Sequence, residues 1–394
     1  MAVHNFSITA VAEPKVATPA INKTMMLFLL MAVAGVTAGI YSFVIGHHHA
    51  YGAFREVPWG LMISTYAFFA ITSTGLCLLA TLSHTFGGTP LAALGNRAVW
   101  LSIITILAAF SVIGLELENP WRMAIYNMTS PNFTSNIWWM GTLYGMAVGF
   151  MFVEFFLILT GRYKLALILG VGGALAEVMA NTNLGAVFAT LSARPFWYGS
   201  QLPVYFLCSA FMSGAAALIL FTHLAHKMRG EEMTAATFAG LQSAGKVLAL
   251  TIFLIGVATT WRFISYFVGG AESGRVAATA LLSGPLSTNF WIFEVTIGLV
   301  FPLVLLVFSQ MKSVQAMSSA ALMTLVGAFV QRYDLVVAGQ LVPEYAGWNN
   351  LPTYLSYTPT VYEWLVVIGA MGLAGLGFIL GERFLGRAFS QGAH

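Results

Sequence analysis

Residues 163–189 read YKLALILGVGGALAEVMANTNLGAVFA. Beyond Lys164 this stretch carries one charge, Glu177. It exceeds the ~20 residues that cross ~30 Å of hydrocarbon at ~1.5 Å per residue. It therefore reads as a membrane-spanning helix with a carboxyl group inside. Comparable apolar stretches recur over 24–46, 58–84, 96–115, 136–160, 198–223, 246–268, 285–310, 314–337 and 359–381. Together they predict an all-α integral membrane protein with ten spans. The ninth is the softest, because Met317-Ser318-Ser319-Ala320 opens it with small and polar residues.

Composition points the same way. Hydrophobic residues make up 58% of the 394 positions, charged residues 8%, and mean hydropathy is +0.82. Soluble domains carry roughly 25% charged residues, so this protein lacks the charge to solvate a globular surface. The net charge of +3 is small and dispersed, which argues against a nucleic-acid partner and leaves membrane lipid as the main surroundings. The first 23 residues lack a basic-then-apolar opening, so no secretory signal is expected.

Ten spans place alternate connections on opposite sides. Lys15, Lys23, Arg97, Arg162, Lys164, Lys227, Arg229, Lys246, Lys312, Arg383 and Arg387 fall on one side, eleven in all. Arg55, Arg122, Arg194, Arg262, Arg275 and Arg332, six in all, fall on the other. The positive-inside rule then puts the richer side and both termini in the cytoplasm, the chain lying in the inner membrane. The expected organisation is a cytoplasmic tail over 1–23, six spans over 24–223, a polar cytoplasmic connector over 224–245, and four spans with a tail over 246–394. The opposite face carries the substantial loops, 47–57, 116–135, 190–197, 269–284 and 338–358, rich in Pro, Trp, Tyr and Asn. Such loops suit a docking platform; packing against one another is the plainer alternative.

No redox metal of its own is expected in this protein. Cys77 and Cys208 sit singly in separate spans, whereas an iron–sulfur cluster takes four ligands, and no Cys-x-x-Cys-His haem attachment occurs. The histidines at 4, 47–49, 84, 223, 226 and 394 lie in tails or near span ends, not apposed within the membrane as a b-type haem would need. His47-His48-His49 resembles a metal tract, but three successive residues cannot face one ion from a helix, so a polar interfacial turn is the expectation.

Carboxylates within hydrocarbon are costly and point to function. Glu154, Glu177, Glu294 and Glu363 qualify. Glu177 lies 14 residues into its span, ~21 Å from the inner end at ~1.5 Å per residue, hence in the outer half. Glu177, Asn181 and Leu184 share one helical face, while Asn183 points elsewhere. Glu154 falls in the inner half, at a depth matching His84 at the end of the second span. Together Glu154 and His84 could admit a proton from the cytoplasm and pass it toward Glu177. Hydrogen bonding between helices, with the carboxyls neutral, is the structural alternative. Glu294 and Glu363 open their spans at the outer boundary, where Glu363 could simply be solvated.

Several motifs then carry a resemblance. Pro58-Trp59-Gly60-Leu61-Met62-Ile63 followed by Gly75 resembles the second helix of the NrfD/PsrC family of respiratory membrane subunits. Asn119-Pro120-Trp121-Arg122, Ser130-Pro131-Asn132-Phe133 and Trp138-Trp139-Met140 look like that family's loop before the fourth helix. Asn183-Leu184-Gly185, then Ala193-Arg194-Pro195-Phe196-Trp197-Tyr198-Gly199 and Pro203, resemble its loop into the sixth, with Ser209-Ala210 and Ser213-Gly214 following. Arg332-Tyr333, Gly339-Gln340 and Pro343 look like its ninth-helix motif. The pieces are loose but ordered along nearly the whole chain. Ten spans resemble the family's long branch, and the Ala193–Gly199 stretch looks most like the DsrP type of the sulfite-reduction-associated DsrMKJOP complex.

The resemblance implies a subunit that binds menaquinone or another quinone, catalysing Q + 2e⁻ + 2H⁺ ⇌ QH₂ within a quinone-linked oxidoreductase complex. It also implies electron exchange with a ferredoxin-like iron–sulfur subunit on the outer face, alongside a multihaem cytochrome c and further membrane subunits. Two four-helix bundles, spans 2–5 and 7–10, are implied, with two extra helices and the quinone near the outer end of the first bundle. Tyr66, where the PsrC type carries a histidine, would hydrogen-bond the quinone or serve as a packing aromatic. Trp59 and Asn181 would line the same pocket, and Arg194 and Trp197 would shape its mouth, although Arg194, like Arg122, could instead hold its loop. Two other classes stay open: a secondary transporter, which would be expected to show matching broken helices in its two halves, and a structural anchor without a quinone site.

Overall fold

The computed structural model describes residues 19–86, 88–344 and 350–390. Ten helices are long and apolar enough to cross a membrane: α1 Ile21–Ile45, α2 Leu61–Thr85, α3 Pro90–Glu116, α4 Asn136–Leu159, α5 Tyr163–Ala189, α6 Gln201–Arg229, α7 Ala235–Gly269, α8 Asn289–Ser309, α9 Val314–Leu341 and α10 Val361–Phe384. The protein is an all-α, multi-pass membrane protein. Helices alternate in direction, so the starts of odd helices and the ends of even ones define one face, termed here the basic face. The opposite one is the loop face. Most of the expected tail over 1–23 lies outside the described residues, as do residues 345–349 of the last loop.

The ninth span is continuous. Met317, Ser318 and Ala320 face the interior, so their small size serves close packing instead of interrupting the helix. The polar stretch 224–245 is largely helical: α6 runs on to Arg229, Thr234 caps α7, and the expected connector shrinks to residues 230–234. Loops on the other face contain short helices at His47–Ala50, Pro120–Thr129 and Glu272–Leu282. In the first of these, the His48 and His49 rings lie 4.0 Å apart. The first part of α8, Asn289–Val300, is wound as a π-helix.

The first four-helix group is α2–α5, as expected. The second is α6–α9 and not spans 7–10, because α10 packs on α1 and α3. Two features pull α10 there. Its glycines meet α1 so closely that a Cβ on Gly369 would sit 2.6 Å from the Gly35 Cα. At the basic face, Glu382 of α10 accepts from Arg97 Nε of α3 at 2.8 Å and from Arg229 Nη2 of α6 at 2.5 Å, all three groups being nearly or wholly shielded. Breaking such a buried pair from one side would leave an uncompensated charge. The two groups of four helices meet where α2 crosses α6, at Gly75 and Gly214; a Cβ on Gly214 would lie 2.6 Å from the Gly75 Cα.

Two charges placed on the loop face by sequence belong to helix interiors. Arg332 is 1% exposed within α9, its guanidinium 4.7 Å from the Phe206 ring centre and bonded to Ser209 Oγ. Arg262 lies half-buried along α7, 4.3 Å from the Phe196 ring centre. Cations over aromatic faces are attracted by the ring quadrupole; Arg332 thereby ties α9 to α6, and Arg262 ties α7 to the loop between α5 and α6.

Candidate functional site

The α2–α5 group holds polar groups along its axis at several depths. Nearest the loop face is a cavity of about 130 Å³, lined by Trp59, Ile63 and Tyr66 of α2 and its lead-in, Glu116 of α3, Met140 of α4 and Leu184 of α5, among others. Met123, on the short helix Pro120–Thr129, covers one side. Ile137, which also lines it, is 53% exposed, so one wall faces the surrounding lipid.

Trp59 is held firmly at this cavity. The Gln340 side chain brackets its backbone, Oε1 accepting from Trp59 N–H at 3.0 Å and Nε2 donating to Trp59 C=O at 2.7 Å. Its ring stacks on Trp197 at 5.4 Å and meets Phe188 edge-on at 5.2 Å. Trp197 is in turn fixed by donation from Nε1 to Leu335 C=O at 2.7 Å. Trp197 therefore stands behind Trp59 and outside the cavity lining. Arg194 is also outside it: its guanidinium donates to the backbone carbonyls of Val342, Gln340 and Glu56, tying three loop-face segments together.

Deeper along the bundle, Tyr66 meets Tyr144 of α4 edge-on, ring centres 6.5 Å apart. Among the described residues, neither side-chain polar atom of Asn181 has a hydrogen-bond partner, and both are shut off from solvent, as is the Tyr144 hydroxyl beside Thr74. Such groups are costly unless something polar meets them. Below lies Glu177, fully buried, accepting from Thr74 Oγ1 at 2.6 Å and Ser73 Oγ at 3.3 Å. Glu177, Asn181 and Leu184 thus share the inward face of α5. Asn183 faces away and donates to Asn136 C=O at 2.7 Å.

At the basic-face end, His84 Nδ1 stands 3.4 Å from Glu154 Oε1. The histidine's other nitrogen meets Asn96 Oδ1 at 3.2 Å. Along α2 this pair is ten residues from Thr74, or ~15 Å. The Ser73–Ser102 hydroxyl pair, 2.9 Å apart, lies at the level of Glu177, at the upper limit of that interval and not within it.

Comparison with known proteins places this architecture. The family model described as Polysulphide reductase, NrfD matches residues 49–344, well over half of the sequence. The chain belongs to the NrfD family. Among similar proteins, the Hdr-like menaquinol oxidoreductase integral membrane subunit of Archaeoglobus fulgidus is 23% identical, over 90% of this sequence and 92% of its own. A selenate reductase subunit of Mesobacillus selenatarsenatis is 23% identical, over 81% and 84%. The protein NrfD of Escherichia coli is 24% identical over 73% of this sequence and 96% of its own length, and so is the shorter protein.

Within this NrfD-family protein, sequence reasoning missed Glu116 and Tyr357, and it named Gln340 and Glu363 without finding their roles. Glu116 lines the cavity, but it closes a span, where a carboxylate reads as interfacial. Gln340 was visible in the ninth-helix motif without a role. Tyr357 and Glu363 form a hub beside the start of α2: Tyr357 accepts from Leu61 N–H at 2.7 Å and donates to Glu363 at 2.5 Å. Glu363 also accepts from Gly52 N–H at 2.9 Å and Thr360 N–H at 2.8 Å. Far from being solvated, Glu363 is 1% exposed. Burial pushes the Tyr357 hydroxyl above its ordinary pKa, and the adjacent Glu363 adds to this. Among the described residues, no group of three or more His, Cys, Asp or Glu is arranged to hold a metal ion.

Proposed function

We propose that this protein is the quinone-reactive membrane subunit of a respiratory oxidoreductase complex, with its quinone site in the α2–α5 cavity. One observation carries the reading. An aromatic cavity with a lipid-facing wall sits above the buried Asn181, whose side chain has no hydrogen-bond partner among the described residues, and above the buried Tyr144 hydroxyl and Glu177 carboxyl. That set suits a flat, amphipathic ring with carbonyl oxygens. The cavity, about 130 Å³, is smaller than the ~300–1,000 Å³ of drug-sized sites, so a quinone headgroup would enter by displacing lining side chains, its tail leaving past Ile137. The name of the Archaeoglobus fulgidus relative, a menaquinol oxidoreductase subunit, favours menaquinone.

A quinone bound there supplies a two-electron, two-proton couple. Trp59, backed by Trp197 and bracketed by Gln340, offers a fixed aromatic wall. Tyr66 would donate from its hydroxyl to a carbonyl oxygen. Glu177 would hold the exchanged proton on its carboxyl group, with Thr74 and Ser73 fixing the two oxygens, and Asn181 and Tyr144 would relay it. His84 and Glu154 would exchange protons with the basic face, which on the positive-inside reading would face the cytoplasm, with the protein in the inner membrane. Electrons would come from or go to an iron–sulfur partner on the loop face, where Trp121, Tyr126, Met128 and Phe133 are exposed; a multihaem cytochrome c could stand beside it. The DsrP subtype belongs to the same proposal, supported by the Ala193–Gly199 stretch alone.

The binding test is direct. A menaquinone analogue should quench tryptophan emission of the purified protein saturably, and Met140→Trp, which fills the cavity, should abolish saturation. Undiminished binding to that folded variant would move the site elsewhere. In the intact complex, Glu177→Gln should cut quinol-linked turnover at least tenfold while the subunits still co-purify. Normal turnover would remove Glu177 from the mechanism. Glu154→Ala should slow proton uptake from the basic-face side of proteoliposomes, and uptake solely from the loop-face side would refute that route.

A further inference from the structure

A second cavity, of about 790 Å³, opens at the basic face between the end of α6 and the start of α9. We propose that it binds the phosphate headgroup of an acidic phospholipid. On one wall, His223, His226 and Lys227 recur at spacings of three and four and so share one face of α6. On the other, Gln315, Ser318 and Ser319 line the first turns of α9. The first N–H groups of a helix lack intrahelical partners and carry partial positive charge. The α9 start is therefore an anion-favouring element facing a basic one. Among the described residues, His223 Nδ1 and His226 Nδ1 have no hydrogen-bond partner and are shut off from solvent. Glu231, the one carboxylate lining the cavity among the described residues, has its side chain 54% exposed and 3.9 Å from Arg229.

Depth and charge select a lipid over a soluble anion. His223 lies six residues before Arg229, so the cavity reaches ~9 Å from the end of α6 toward the membrane interior. A glycerophosphate sits at that level, with its acyl chains running deeper. Met233 and Val314 give the cavity apolar surface to match. Among the described residues, Lys227 is the single fixed cation on the lining, the imidazoles adding donors. One cation balances a singly charged phosphodiester and would leave a multiply charged nucleotide or polyphosphate under-neutralised. Basic pockets between spanning helices recognise acidic headgroups by this chemistry.

Calorimetric titration of the delipidated full-length protein in neutral detergent tests the site. The probes are dihexanoyl phosphatidylglycerol, dihexanoyl phosphatidylcholine and inorganic phosphate. Phosphatidylglycerol should bind saturably, with phosphatidylcholine at least about fivefold weaker. The double variant His226→Gln/Lys227→Gln should lose about fivefold or more, and Ser319→Trp, which blocks the cavity from its other wall, should lose binding by an independent route. Lys246→Gln, exposed and outside the cavity, should bind as the unaltered protein does. Equal affinity for the two lipids, or an equal loss in the Lys246 variant, would overturn the proposal. Inorganic phosphate binding as tightly as phosphatidylglycerol would overturn the lipid assignment and make the cavity a free-anion site.

Discussion

At the scale of single residues, Tyr357 concentrates a large share of the loop-face order. It joins the start of α2 to the cap of α10 through Leu61 and Glu363. Tyr357→Phe removes the donor to a buried carboxyl and the acceptor for a backbone N–H, which should cost about 1–3 kcal/mol, read as a lowered melting temperature in detergent. Its raised pKa also fixes a pH sign. The folded protein favours the protonated hydroxyl, so that contribution is complete below the ordinary tyrosine value near 10 and is lost as pH rises above it. The Phe variant should therefore show a smaller loss of stability between neutral pH and pH ~11 than the unaltered protein. These contacts were not legible in the sequence, because Glu363 meets Gly52 across 311 positions and no local periodicity links them. Glu177 with Asn181, by contrast, was legible because both lie on one helix and the 3.6-residue turn dictates their common face. His84 and Glu154 were legible by depth, since two spans of known direction fix how far each residue lies from the membrane surface.

Among the elements, α10 departs most from its expected place. Its length and composition identified it as a span, but partner choice depends on which small residues meet. That information is shared between Gly35 and Gly369 and is absent from either helix alone. Gly369→Val should force α1 and α10 apart and destabilise by about 1–3 kcal/mol through overpacking. Protease sensitivity of the described loop 46–60 should rise with it, since Ala50 C=O is tied to the α10 cap by Thr360 at 2.7 Å. Arg194→Ala tests a different joint. It should loosen the loop between α5 and α6 and lower stability, yet leave menaquinone-analogue affinity within about threefold, because Arg194 reaches carbonyls outside the cavity. A loss as large as that of Met140→Trp would place Arg194 in the site after all.

For the whole molecule, the proposed orientation makes one clear demand. With Cys77 and Cys208 replaced by Ser, a single cysteine at Thr129 should react with an impermeant maleimide added to intact spheroplasts. One at Glu232 should react after lysis alone. The opposite pattern would invert the membrane orientation and with it the assigned side of proton exchange. The closure of α10 on α1 has a further consequence, for biogenesis. A ribosome adding ~5–20 residues per second takes roughly 15–60 s to travel from the end of α1 to the start of α10. Throughout that interval α1 resides in lipid without its chief protein neighbour, and α10 is the helix that secures it. A nascent polypeptide halted after α9 would retain both four-helix groups and leave α1 undocked, so α1 gains its main contact only once α10 has been made.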